Sequence, residues 1–209
     1  MKKIRISIFL FFFPLSCAFS QENDFQFWTS FSVNDKFISK TDIYFKYGIR
    51  FRENASLISD DFIEMKLKYR FSKKFSVSLG VRDINEWNQK MQIKNKNRYF
   101  ADLLLRKKNK RFMFSLRNRF QQQESETEYA YTFRQKGVVS YNIRKTKLEP
   151  LFAIECFYNK SKINKLRYTI SFSYPLYQDL DLNLSYRIQN QLYDLATIFI
   201  FDTKLSYNF

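Results

Sequence analysis

Residues Leu195 to Phe209 read LATIFIFDTKLSYNF. Leu195, Thr197, Phe199, Phe201, Thr203, Leu205, Tyr207 and Phe209 share one parity. Asp202, Lys204, Ser206 and Asn208 take the other, as does Asp194 just before, with Ala196, Ile198 and Ile200 as apolar exceptions. Side chains alternate across a strand with a period of two, so this stretch predicts a β-strand with one apolar face.

Working back from there, the same period recurs. Phe25, Phe27, Thr29, Phe31 and Val33 share a face. Ile43, Phe45, Tyr47, Ile49 and Phe51 oppose Lys40, Asp42, Lys46, Arg50 and Arg52. Ile63, Met65, Leu67 and Tyr69 oppose Glu64, Lys66, Lys68 and Arg70; Phe75, Val77, Leu79 and Val81 oppose Ser76, Ser78, Gly80 and Arg82. Tyr99, Ala101, Leu103 and Leu105 oppose Arg98, Asp102 and Arg106, and Phe112, Phe114, Leu116 and Phe120 oppose Arg111, Ser115, Arg117 and Arg119. Tyr131, Phe133, Val139 and Tyr141 oppose Thr132, Arg134, Lys136 and Ser140. Pro150, Phe152, Ile154, Cys156 and Tyr158 oppose Glu149, Ala153 and Glu155. Leu166 to Tyr174 and Leu180 to Ile188 follow suit, with Lys165, Arg167, Asp181 and Arg187 on their polar faces. Helical spacing competes nowhere.

Mean hydropathy is -0.45, which suits a water-soluble chain, yet 20% of the residues are aromatic. Alternating strands reconcile the two when the apolar half of each faces lipid and the charged half a lumen. A charge turned outward at mid-membrane costs about 2–4 kcal/mol, so the strand-borne bases point inward or lie at the rims. The expected fold is all-β, a transmembrane antiparallel up-and-down barrel of about 10–12 strands. Tight polar links (72–74, 107–110, 142–147, 175–179) are expected to alternate with longer ones (83–97, 121–129, 159–164), as short periplasmic turns alternate with outer loops. Counting Phe25–Val33 gives an odd number, whereas single-chain bacterial barrels have even numbers. Either that segment lies outside the wall or one strand is missed or wrongly split. A soluble lipocalin-like carrier is the rival fold; it would put aromatics inside and charge outside.

Residues 1–20 read as a signal peptide. Lys2, Lys3 and Arg5 precede an apolar run from Ile6 to Leu15, and Ala18-Phe19-Ser20 is a small-x-small cleavage site. The run is too short for a membrane anchor. A lipoprotein signal ending at Cys17 is the alternative, but Pro14-Leu15-Ser16 fit it poorly. Residues 21–209 are then a single barrel domain. Without the three leader bases, the count falls from 36 basic residues to 33 against 20 acidic ones, a net charge of about +13. Only Cys156 remains, which leaves no intramolecular disulfide.

Several motifs resemble those of one family: Phe27-Trp28, Tyr69-Arg70-Phe71-Ser72-Lys73-Lys74-Phe75 leading to Gly80-Val81-Arg82, and Asn97-Arg98-Tyr99. Leu116-Arg117-Asn118-Arg119-Phe120-Gln121, Glu149-Pro150, Glu155-Cys156-Phe157 and Leu166-Arg167-Tyr168 continue the series. In order and spacing they resemble the outer-membrane barrels grouped as domain of unknown function 2490, common in the Bacteroidetes. The resemblance implies fold and location and carries no activity with it. The apolar ending at Tyr207 and Phe209 likewise resembles the C-terminal strand signal read by the outer-membrane barrel assembly machinery.

The sequence holds no histidine. Serine hydrolases generally need an imidazole to take the nucleophile's proton near neutral pH, and zinc or haem sites built from His/Cys clusters need more than Cys156. No enzymatic activity, catalytic residue, cofactor or metal is expected. Glu149 and Glu155 as an acid–base pair on a sugar is weighed against their balancing lumen arginines, and the second reading is preferred. The expected lumen charge network is Arg82, Arg98, Asp102, Arg117, Arg119, Arg134, Glu149, Glu155, Arg167 and Arg187. It fits a structural or interaction barrel with a charged, largely filled lumen, or a narrow pore preferring acidic small solutes. Expected partners are outer-membrane lipid, lipopolysaccharide phosphates at the rim bases and, for the pore, a small anionic solute. A pI near 9.8 also suggests nucleic acid, but alternating charge behind a signal peptide argues against it.

Overall fold

The computed structural model describes residues 23–88, 90–124, 129–159, 162–193 and 196–209. The expected signal peptide and its cleavage site, together with Asp194 and Leu195, lie outside them. Eleven strands form one closed barrel: β1 Asn23–Ile38, β2 Thr41–Arg52, β3 Leu57–Arg70, β4 Phe75–Trp87, β5 Ile93–Asn109 and β6 Phe112–Glu124, then β7 Tyr129–Tyr141, β8 Glu149–Asn159, β9 Lys162–Pro175, β10 Leu180–Gln191 and β11 Thr197–Asn208.

Ten neighbouring pairs are antiparallel, each joining strands consecutive in sequence. With an odd number of alternating strands the first and last must run the same way, and β1 pairs with β11 in parallel from Asn23↔Thr197 to Asn34↔Asn208. The Phe25–Val33 segment therefore belongs to the wall. Its β1 starts at the rim opposite the C-terminus, which the backbone N–H of Phe209 ties to the Asn34 carbonyl at 2.9 Å.

The expected alternation of short and long links is absent. Two to seven residues separate consecutive strands at the C-terminal rim and two to five at the other. β4 and β5 run through much of the presumed loop at 83–97, paired from Asp83↔Asn97 out to Trp87↔Ile93. Lys40, Lys110 and Lys145 adopt left-handed backbone conformations in three of the turns at the C-terminal rim (φ 70°, 50° and 62°), a role glycine would fill more cheaply.

Burial is inverted relative to a water-soluble barrel. Phe45, Leu79, Phe114 and Phe172 are 45%, 63%, 42% and 46% exposed on the outer wall, whereas Arg82 and Arg119 are 8% and 5% exposed inside. Cross-strand aromatic pairs reinforce that wall, with ring centroids 4.9 Å apart for Phe120–Phe133 and 4.8 Å for Phe112–Tyr141. Such pairs contribute roughly 0.2–1 kcal/mol each.

Candidate functional site

Strand register makes the lumen's ion pairs. Glu64 faces Arg82, Asp102 faces Arg119, and Glu155 faces both Lys136 and Arg167 on adjacent strands. Arg119 donates Nε–H and Nη2–H to the two Asp102 oxygens at 2.6 and 2.7 Å, a side-on bidentate pair. Arg82 donates Nε–H to Glu64 at 2.9 Å and approaches the same oxygen through Nη2. Glu155, 3% exposed, holds three guanidiniums: Arg117 at 2.7 Å, Arg134 at 2.8 Å and Arg167 at 3.6 Å. Arg187 pairs with Asp202, and Arg50 with Asp60 at 3.0 Å. Arg98 donates to the Gln123 amide oxygen at 2.9 Å through Nε, and Arg167, besides its pairing with Glu155, donates to that of Gln189 at 3.0 Å through Nε.

Arg82, Arg98, Asp102, Arg117, Arg119, Arg134, Glu155, Arg167 and Arg187 thus lie on the lumen face with partners. Glu149 stands apart: it is exposed at the start of β8, where it accepts a hydrogen bond from Ser140 Oγ at 2.6 Å. Six residues along one strand separate it from Glu155 by roughly 20 Å, far more than the ~5–10 Å of a glycosidase carboxylate pair. Arg111 sits in the turn before β6 rather than on its polar face. Tyr207 and Phe209 pack edge to face at 4.7 Å, with Phe209 69% exposed.

The sequence reading missed the lumen's aromatics. Arg119 lies over the Phe100 ring at 3.8 Å, Arg82 over Phe62 at 4.0 Å, Arg134 over Phe157 at 4.5 Å and Arg50 over Trp28 at 4.4 Å. A planar guanidinium over a desolvated ring gains about 2 kcal/mol and is held at a fixed height. Phe62 and Phe100 need room, and each has a glycine directly opposite on the preceding strand, Gly48 and Gly80. A Cβ at Gly48 would lie 2.6 Å from the Phe62 ring, and one at Gly80 2.6 Å from a Phe100 ring carbon. One arrangement therefore recurs: a Phe two residues from an acid, and an Arg on the following strand that pairs with the acid and covers the ring. Phe157, Glu155 and Arg167 repeat it, with Arg134 opposite the ring in place of a glycine and Arg167 over it at 4.9 Å. The signal was legible as Phe-x-Glu and Phe-x-Asp on the polar parity, facing strand glycines.

These side chains surround a cavity of about 740 Å³. Thirteen basic residues line it against five acidic ones, Asp60, Glu64, Glu86, Glu155 and Asp202, so its wall carries eight more positive charges than negative. Lys46, Lys66, Lys136 and Lys204 form no ion pair among the described residues, nor does any group of three His, Cys, Asp or Glu there suit a metal ion.

The barrel is similar to a solved structure, the NanC porin in a rhombohedral crystal form, with a TM-score of 0.54 and 10% sequence identity over 84% of this chain and 90% of that one. At that identity the likeness shows the fold alone. No curated protein matches the chain. The model of one family matches residues 25–194, most of the barrel wall, and on that match the chain belongs to the family described as protein of unknown function (DUF2490).

Proposed function

We propose that the protein is an outer-membrane barrel without enzymatic activity whose lumen admits small anions as a narrow, anion-preferring pore. The observation that carries this reading is the thirteen-to-five balance of bases over acids around one cavity. Pairing uses up the acids and leaves a positive potential in a low-dielectric enclosure, which attracts anions and repels cations. The exposed aromatic wall supports placement in a membrane, and the porin likeness of the fold supports a lumen that conducts. Outer-membrane lipid, lipopolysaccharide phosphates at the rim bases and the barrel assembly machinery reading Tyr207 and Phe209 are its proposed partners. Nucleic acid is not one.

A second reading, a structural or interaction barrel with a filled lumen, is favoured by one observation. Asp42, Lys68, Ser76, Ser78, Ser140 and Ser171, nearer the C-terminal rim, are buried and do not line the cavity. Planar bilayers separate the two. In a potassium chloride gradient the pore gives discrete steps with a reversal potential displaced toward chloride, and Arg117→Gln together with Lys136→Gln reduces that displacement. Absence of steps, or preference for potassium, rejects the pore.

A further inference from the structure

The wall of this lumen is not uniformly cationic: at the parallel seam the bases flank a floor of small hydroxyl residues. Ser30 and Ser32 of β1 face inward between β11 and β2. In register, Ser30 stands beside Lys204 and Gly48, and Ser32 beside Ser206 and Lys46. Ser30 and Ser32 thus form a low hydroxyl floor with a lysine strand position at each side, Lys204 and Lys46, while the Phe62 ring covers Gly48. Lys46 and Lys204 sit two strand spacings and two residues apart, roughly 12 Å between backbones. Each is long enough to reach over the intervening strand toward the other.

Hydrogen bonding separates this shelf from the rest of the lumen. Ser32 Oγ donates to Ser206 Oγ at 3.1 Å, whereas the Ser30 hydroxyl is buried with no partner among the described residues. The nearest acids are committed elsewhere, Asp202 to Arg187 and Glu64 to Arg82. Register sets Lys66 of β3 opposite Tyr44, two residues from Lys46 on β2, so Lys46, Lys66 and Lys204 line the same sector of the cavity. Lys66 rests over the Tyr44 ring at 4.1 Å, on the same side. Two unpaired like charges held beside an unsatisfied hydroxyl leave an unmet demand for an acceptor with several oxygens.

We propose that the Lys46–Lys204 pair and the Ser30–Ser32 shelf form a binding site for a tetrahedral oxyanion, inorganic phosphate or the phosphoryl group of a small solute. Lys46 and Lys204 each donate to a separate oxygen, Ser30 Oγ–H donates to a third, and Lys66 supplies additional positive charge. This assignment rests on the anion-admitting reading of the lumen and deepens it by placing the ligand on one wall.

The test is calorimetric titration of inorganic phosphate, with glycerol phosphate in a parallel arm, into the full barrel in detergent. Lys46→Gln and Lys204→Gln should each weaken phosphate binding about tenfold, the loss of one charged hydrogen bond, and Ser30→Ala by a smaller factor. Lys136→Gln removes the same charge from β7, across the barrel, and should weaken it less. Glycerol phosphate binding as tightly as phosphate assigns the site to phosphoryl solutes; binding of phosphate alone assigns it to the free ion. No saturable binding, unchanged affinity in Lys46→Gln and Lys204→Gln, or an equal loss in Lys136→Gln overturns the site. Anion preference in bilayers that survives such a result leaves the lumen reading standing while this site falls.

Discussion

Glu155 carries a single negative charge, lies almost fully buried and meets Arg117, Arg134 and Arg167 at once. Neutralising it leaves three guanidiniums facing one another without a counter-charge. Removing one member of a buried pair typically costs about 3–5 kcal/mol, and Glu155→Gln is expected in that range. Arg117→Gln should cost less, because its side chain is 25% exposed and two arginines still hold the carboxylate. The shift of folded to unfolded barrel on semi-native gels across a urea series measures both; a Glu155→Gln barrel as stable as the parent would deny the hub its structural weight. At this scale the sequence was informative about side and silent about partner. Parity alone placed Arg82, Arg119 and Glu155 on one face, since a strand offers only two faces. It could not show that Glu149, on the same parity, ends at a rim, because strand ends are set by pairing with neighbours. Nor could it show that Arg98 and Arg167 would turn to Gln123 and Gln189.

Strands are the scale at which the sequence was most legible, because a wall with one apolar and one polar face imposes strict alternation and each candidate strand recurs in the structure. The links were misread for a physical reason. Beyond the apolar belt the outward residues become polar, as with Asp61, whose carboxylate accepts from the Asn85 amide and the Trp87 indole, both at 3.1 Å. Pairing continues there although the apolar signal has stopped. The glycine–phenylalanine contacts give an element-level prediction. Phe100, 5% exposed beneath Arg119, has little freedom to yield to a new methyl group, so Gly80→Ala should destabilise by about 1–3 kcal/mol. Gly137 has open space where its Cβ would be, and Gly137→Ala should be neutral or stabilising by up to about 1 kcal/mol. Urea midpoints of the two variants settle the contrast, and equal effects would remove the packing argument. For β11, removal of Phe209 should leave synthesis intact and lower the amount recovered in the outer-membrane fraction. Undiminished recovery would show that the assembly machinery does not need the terminal ring.

Closure of the whole barrel follows from strand count and pairing together. Ten hairpin pairings wind the chain around, and the parallel β1–β11 seam closes it without an exposed edge. The even-number expectation failed because it treats every pairing as antiparallel. Twelve register pairs in parallel are enough to seal an odd wall. Wall and lumen together express one arrangement, apolar side chains turned outward and cations enclosed, on which both the proposed pore and the proposed oxyanion site depend. Nitroxide labels placed singly from Arg167 to Phe172 along β9, on a Cys156→Ala background in lipid vesicles, test it most directly through their collision rates with oxygen and with a water-soluble nickel chelate. The labels at Tyr168, Ile170 and Phe172 are predicted to relax fastest with oxygen and those at Arg167, Thr169 and Ser171 not to; the opposite alternation, or none, would contradict the account.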